Sequence, residues 1–325
     1  MVAFDGGGER QSSEAINPRR GYVFMALLAL QYGLQPLIQK SCIDRHAVNK
    51  VSLVVATEIT KIAMCCGFIL STTGLVSELR ATWTLRSSVK AAALPAACYA
   101  LQNWLTQIGY MNLDSLTFNL LNQTKTLSAA VCLFLIMGRR QSGPQVLALM
   151  MLVAAALLLN AQSGGLGDAA APISWELGIL PVVGASLLSG FSAAVTQKSL
   201  QERGRNSFLL SAELAVYGVL TLLLPSAAST GSLQGLWEGW TIRTVIPVVT
   251  NAMGGVIVGQ VTKHAGSVKK GFALIGGILV TAAAQFILER QPLSREHYAS
   301  AVLVAVSTFL HTRYPQQQRS SKKAA

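Results

Sequence analysis

The chain has 325 residues, of which 51% are hydrophobic and 12% charged; soluble globular domains carry about 25% charged residues, so an ordinary soluble fold is excluded. The apolar residues gather into ten runs of about twenty, the length a helix needs to cross ~30 Å of hydrocarbon. The net charge of +12 would suggest nucleic acid in a soluble protein, but here much of it flanks the apolar runs, where it sets membrane orientation, so nucleic acid is not an expected partner.

In chain order, a polar tail (1–20) precedes a first span that starts after Arg19 and Arg20 and lacks a small-residue cleavage site, so it reads as retained rather than as a signal peptide. The expected spans are Gly21–Gln39, Val51–Ser71, Ala91–Tyr110, Leu113–Met137, Gln145–Asn160, Leu177–Gln197, Phe208–Ala227, Thr244–Thr262, Gly266–Leu288 and His297–Leu310. An even number puts both tails on one side. Eighteen Lys and Arg fall on that side and six on the other, while Lys61 and Lys125 lie within spans; the positive-inside rule makes the tails cytosolic. The organisation expected is a cytosolic tail (1–20), a five-helix repeat (21–160), a lumenal linker (161–176), a second five-helix repeat (177–310) and a cytosolic tail (311–325).

Each half contains a lysine, an apolar run, an Arg-Gln pair and a last apolar run: Lys125 with Arg140-Gln141, and Lys270 with Arg290-Gln291. Five spans per half is odd, so the second copy would be inverted, the architecture of many secondary transporters with a site at the repeat interface. The fold class expected is therefore an all-α membrane protein of ten transmembrane helices arranged as two inverted repeats. Connections are short, and no GxxxxGK followed by Ser or Thr occurs, so neither an enzyme domain, a cofactor nor an ATP-driven motor is expected. The five cysteines show no metal or disulfide spacing.

Lys125 is twelve positions from each end of its expected span. A lysine near the midplane costs about 2.5–3.5 kcal/mol on insertion scales, so it should face a wet cavity or a partner. The structural alternative is an ion pair with Glu58 or Glu213, although Glu58 has Lys61 one turn away and can pair with it. Lys270 follows Lys269 at the cytosolic start of the ninth span, where a lysine by itself reads as an orientation charge; as the repeat partner of Lys125 in the first turns of a helix, where unpaired N–H groups favour anions, it reads as a binding residue. Tyr99, Gln102 and Asn103 place an aromatic ring and two amides within about a turn, suited to stacking on a base and bonding its edge; interhelical packing is the other reading. Asn122 precedes Lys125 by one turn. In the eighth span Asn251 is followed by Gly254, Gly255 and Gly259, which either pack a neighbouring helix or keep a cavity open beside a ligand, and Ser189-Gly190 invites the same two readings. The final Lys322, Lys323, Ala324, Ala325 resembles a dilysine retrieval signal read by coat machinery; a plain basic tail is the alternative.

These residues resemble the nucleotide-sugar transporter family of the drug/metabolite transporter superfamily. The resemblance is carried by TEITK (Thr57–Lys61), YALQN (Tyr99–Asn103), LDSLTFNLLNQTK (Leu113–Lys125), LLSGF (Leu187–Phe191) and NAMGGVIVGQVTKHAGSVKKGF (Asn251–Phe272). Within it, LQYGLQPLI (Leu30–Ile38) and the glycine-rich eighth span look most like plant-type reticulum carriers of UDP-N-acetylhexosamines. The resemblance implies a ten-helix exchanger of cytosolic nucleotide sugar for lumenal nucleoside monophosphate. Lys125 and Lys270 would hold the phosphates, and Tyr99, Gln102 and Asn103 the base or ribose, with Phe118, Asn122, Ser189, Glu213, Asn251 and Gly255 as further nucleoside or sugar contacts. Phe118 stands where relatives often carry Tyr, and Ser211-Ala212-Glu213 replaces an Arg-Asn-x-Gln-like run of the sialate carriers, which argues against CMP-sialate; Glu213 could meet sugar hydroxyls or a polar group of a neighbouring helix. The expected partners are UDP-N-acetylglucosamine or UDP-N-acetylgalactosamine, UMP and the lipid bilayer of the endoplasmic reticulum or Golgi. UDP-galactose or UDP-glucose is the alternative cargo, and a membrane glycosyltransferase or a non-transporting adaptor the alternative class.

Overall fold

The structure, a computed structural model, describes residues 16–43, 48–113, 115–161, 175–230, 237–290, 294–314 and 317–318. Among them are ten helices of 19 to 25 residues: α1 (Pro18–Cys42), α2 (Lys50–Ser71), α5 (Leu94–Asn112), α6 (Ser115–Met137), α7 (Gly143–Ala161), α8 (Leu180–Gln201), α9 (Ser207–Thr230), α10 (Val245–His264), α11 (Ser267–Glu289) and α12 (Arg295–Arg313). Two short helices, α3 (Leu75–Thr82) and α4 (Leu85–Ser88), occupy the α2–α5 connection. Two-residue strands β1 (Arg139–Arg140) and β2 (Gln317–Gln318) pair antiparallel.

Each long helix overlaps one expected span, and most run further at one or both ends. An apolar run marks only the dehydrated stretch, whereas the hydrogen-bond ladder continues to the caps: Asn17 accepts from the N–H groups of Arg19 and Arg20, and Asn49 from that of Val51 at 2.8 Å. Five described helices are by themselves long and apolar enough to cross a membrane: α1, α2, α8 with its leading π turn, α10 and α11. In α5, α6, α9 and α12 polar residues such as Gln102, Asn122, Glu213 and His297 interrupt the apolar stretch.

The principal helix contacts run between the first five long helices and the last five: α6 with α8, α1 with α11, α7 with α12, α5 with α8, α1 with α10, and α2 with α9. Hydrophobic burial does not drive helices together in lipid, so close packing of small residues must. The buried core accordingly holds many alanines, among them Ala130, Ala148, Ala155, Ala156 and Ala194. Two glycines make the closest crossings. A Cβ on Gly33 of α1 would lie 2.4 Å from the Gly277 carbonyl oxygen of α11, and one on Gly190 of α8 would lie 2.5 Å from the Ser128 carbonyl carbon of α6.

At the end of the bundle carrying the N-terminus of α1 and the C-terminus of α12, some polar bonds cross between the halves and others brace α8 against the α10–α11 turn. Arg139 Nη1 donates to Gln201 Oε1 (2.7 Å), and Gln201 Nε2 donates to the carbonyls of Thr262 (3.0 Å) and Lys263 (2.8 Å). These carbonyls close α10 and lack intrahelical donors. The Ser267 N–H donates to Gln197 Oε1 (2.8 Å), and Gln145 Nε2 to the His311 carbonyl (3.3 Å). Gly266, at φ +92°, makes the sharp α10–α11 turn against Gln197.

Candidate functional site

The first turn of α11 meets the middle of α6. A Cβ on Gly271 would lie 2.9 Å from the Thr126 side chain, and Lys270 and Lys125 each immediately precede the contact. Their ammonium groups lie within electrostatic reach of each other. The two do not occupy matching helix positions, being fourth of 23 residues in α11 and eleventh of 23 in α6, so the α6–α11 crossing, not repeat register, brings them together.

Both acids that could have neutralised Lys125 are engaged elsewhere. Glu58 pairs with Lys61 at 2.5 Å. Glu213 accepts from Arg205 Nε at 2.8 Å, from a second guanidinium nitrogen, and from Trp83 Nε1 at 2.9 Å. Among the described residues neither Lys125 nor Lys270 has an ion-pair partner. One turn from Lys125, the Asn122 Oδ1 is buried without a hydrogen-bond partner. The cluster thus combines two unneutralised ammonium groups with an amide oxygen lacking a donor, and a phosphate-bearing ligand with N–H or O–H groups would satisfy both.

The remaining expected site residues are spread over several parts of the bundle. Tyr99 of α5 reaches Thr196 of α8 in the α5–α8 packing, and Ser189 lies beside the close Gly190–Ser128 crossing of α8 on α6. Gln102 donates to Asn103 at 3.3 Å, and Asn103 is exposed. Phe118 is fully buried, in contact distance of Gly109, in the packing of α6 on α5.

Asn251 and Gly255 line a separate cavity of about 240 Å³ between α1, α2, α10 and α11, with Gln31, Thr57, Glu58 and Lys61. A Cβ at Gly254 would come within 2.3 Å of the Gln31 amide, and one at Gly255 within 2.8 Å of Lys61 Cδ, so these glycines make room for the cavity's polar side chains, while Gly259 packs on Ser211. Leu274, one turn beyond Lys270, also lines this cavity and links it along α11 to the lysine pair. Sequence reasoning did not assign Gln31 to the site; its signal was a glutamine in an apolar run. Glu213 turns its carboxylate to α3 and the α8–α9 turn, the second of the two readings open for it. Lys322 and Lys323 lie outside the described residues.

A bundle built almost wholly of helices, several of them apolar enough to cross a membrane, with its two halves packed on each other and two lysines brought together between them, fits a membrane transporter. A family model described as "Nucleotide-sugar transporter" matches residues 21–312, and the chain belongs to that family. It is 41% identical over 307 residues to the Arabidopsis thaliana UDP-N-acetylglucosamine transporter ROCK1, covering 92% of this chain and 94% of that one. It is 28% identical to the Rattus norvegicus UDP-N-acetylglucosamine transporter (71% and 73% covered) and 28% identical to the Mus musculus UDP-galactose translocator (68% and 57% covered). A solved crystal structure described only as that of a protein shares the fold, with a TM-score of 0.68 at 13% identity, covering 90% of this chain and 98% of that one.

Proposed function

We propose that this nucleotide-sugar transporter is a ten-span antiporter that exchanges cytosolic UDP-N-acetylglucosamine or UDP-N-acetylgalactosamine for lumenal UMP across the endoplasmic reticulum or Golgi membrane. The observation that carries the proposal is the Lys125–Lys270 pair, whose candidate acids are both occupied. A diphosphate brings about two negative charges, and two cations balance them without ATP. Asn122, with its buried, unpartnered amide oxygen, and Tyr99 are then nucleoside or sugar contacts, and Asn251 and Gly255 of α10 contribute the cavity that Leu274 of α11 also lines. The strong likeness to the Arabidopsis transporter favours the N-acetylhexosamine over galactose.

The helix contacts support two inverted repeats. Exchanging each long helix of the first half with its counterpart in the second converts α1·α11 into α8·α6 and α1·α10 into α8·α5, while α7·α12 and α2·α9 map onto themselves. Gly33 and Gly190 obey the same exchange: each is sixteenth in its helix, counted from Pro18 and from Trp175, where the π turn leads into α8. The repeats correspond to residues 21–160 and 177–310, with cytosolic tails 1–20 and 311–325 and a lumenal linker 161–176. Lys322 and Lys323 act as the address read by coat machinery. The test is counterflow in proteoliposomes preloaded with UMP, against a panel of labelled nucleotide sugars. Uptake of UDP-N-acetylhexosamines above UDP-galactose and UDP-glucose is the expected result; selective uptake of a hexose conjugate overturns the cargo, and uptake indifferent to UMP overturns the exchange.

A further inference from the structure

The end of the bundle that carries both termini contains a cavity that the lysine pair does not account for. It has a volume of about 250 Å³ and is lined by Arg139, Gln145, Gln197, Lys269, His311 and Tyr314 among others. Arg139 and Gln145 come from the first half and the other four from the second, so the cavity straddles the seam. Two cations face it, and the described lining contains no carboxylate. The Lys269 ammonium lies 5.3 Å from the Tyr22 ring centroid, and Arg139 spends one Nη on Gln201. The first turn of α11, through Gly266, Val268 and Lys269, forms part of the wall.

His311 is the independent observation. Its side chain is 2% exposed, tilted on the Phe272 ring at 4.8 Å between centroids, within electrostatic reach of Lys269, and both ring nitrogens are buried without a hydrogen-bond partner. An orphaned polar group of this kind costs about 1–3 kcal/mol, so it calls for an occupant. A neutral imidazole still offers one N–H donor. With a guanidinium, an ammonium and the positive end of a helix on the same cavity, the occupant must be an acceptor-rich anion.

We infer that this cavity is a second anion site, which takes a phosphate-bearing group at the terminus-bearing face and, by bridging Arg139 of one half to Lys269 and His311 of the other, stabilises the closure of that face. The phosphate can belong to a soluble nucleotide or to a lipid headgroup, since the cavity opens at the level where headgroups lie if the spans are as proposed. The site does not depend on the role assigned to Lys125.

The probe is inorganic pyrophosphate, which has no base or sugar to engage the proposed transport site. Melting of the purified full chain is followed with about 5 mM pyrophosphate against sodium chloride of equal ionic strength, in a Lys125→Ala/Lys270→Ala parent and in the same parent carrying His311→Asn or Arg139→Gln. A rise of about 2–4 °C in the parent that falls below ~1 °C with either added substitution is expected. Absence of a rise in the parent, or a rise untouched by both substitutions, overturns the site. Arg139→Gln changes a half-buried residue and serves alone if His311→Asn does not fold. In phosphatidylcholine nanodiscs, a rise with added phosphoinositide that pyrophosphate does not increase assigns the phosphate to lipid. A rise with pyrophosphate alone assigns it to a soluble anion, and either upholds the site.

Discussion

Lys125→Ala separates a binding cation from a structural one by the sign of its effect on the empty protein. A buried ion-pair member, once removed, strands its partner at a cost of about 3–5 kcal/mol. Glu58 and Glu213 have other partners, so neither of these acids is stranded when Lys125 goes. What disappears is the cost of holding an ammonium near the midplane, about 2.5–3.5 kcal/mol on insertion scales, and its repulsion by Lys270. Water in the cavity reduces both terms, so the apo protein should melt at the wild-type temperature or a few degrees higher. Binding should move the other way: a charge-assisted bond to phosphate contributes about 1.5–3 kcal/mol, so UMP affinity should fall at least about tenfold. Thermal melting with and without UMP reads both quantities in one experiment. An apo protein destabilised by several kcal/mol whose UMP-induced shift equals that of wild type would refute the phosphate role. Lys125→Arg keeps the charge and loses the compact point geometry, so it should bind UMP weakly and transport poorly.

Glu213→Gln leaves Arg205 buried without its acid, and should destabilise the protein by about 3 kcal/mol in melting experiments while leaving UMP affinity unchanged; a selective loss of affinity would return Glu213 to the ligand site. Gly255→Val would crowd Lys61, whose Cδ leaves only 2.8 Å for a Cβ at that position, and should lower exchange in proteoliposomes more than it lowers the melting temperature. Empty proteoliposomes should take up little UDP-sugar compared with vesicles preloaded with UMP, because two unneutralised lysines resist passage through a low-dielectric barrier. Changing Lys322 and Lys323 together to Ser should move a tagged protein out of the reticulum, seen by microscopy, with transport by the purified protein intact.

The long helices were legible because lipid imposes a length and a polarity on each one, and apolar runs of about twenty residues report both. α3 and α4 were not, since Leu75–Ser88 is a short segment between spans and carries no such run. Lys125 stood out from its position alone, because a charge in the middle of an apolar run must be explained. Its proximity to Lys270 required the crossing of α6 by the start of α11 at Gly271, a contact no local pattern encodes. Glu213 shows the same limit. Its partners are an arginine eight residues away across a turn and a tryptophan just past α3, 130 residues distant, and from the sequence both readings of its carboxylate stood. The cavity around His311 was the least visible, since its cations and its orphaned imidazole come from elements spread over more than 170 residues.

The proposed exchange requires one face of the bundle to open while the other closes, and the contacts differ in how readily they can serve. At the terminus-bearing face the halves are joined by side-chain hydrogen bonds, Arg139 on Gln201 and Gln145 on the His311 carbonyl. Such bonds are worth about 0.5–3 kcal/mol net and can be exchanged for water, so they can part within the free energy a bound anion supplies. The crossings at Gly33–Gly277 and Gly190–Ser128 are different. Backbone there lies against backbone with no side chain between, and separation would open voids that neither lipid nor water fills. Motion that keeps these two crossings intact pivots about them, and with the halves related as the proposed inverted repeats, opening one face about that axis closes the other. Lys270 on α11 and Lys125 on α6 each lie on a helix of one of these crossings, so in the proposed exchange a diphosphate bound there is held beside the pivots, while the side-chain bonds at the face are made and broken around it.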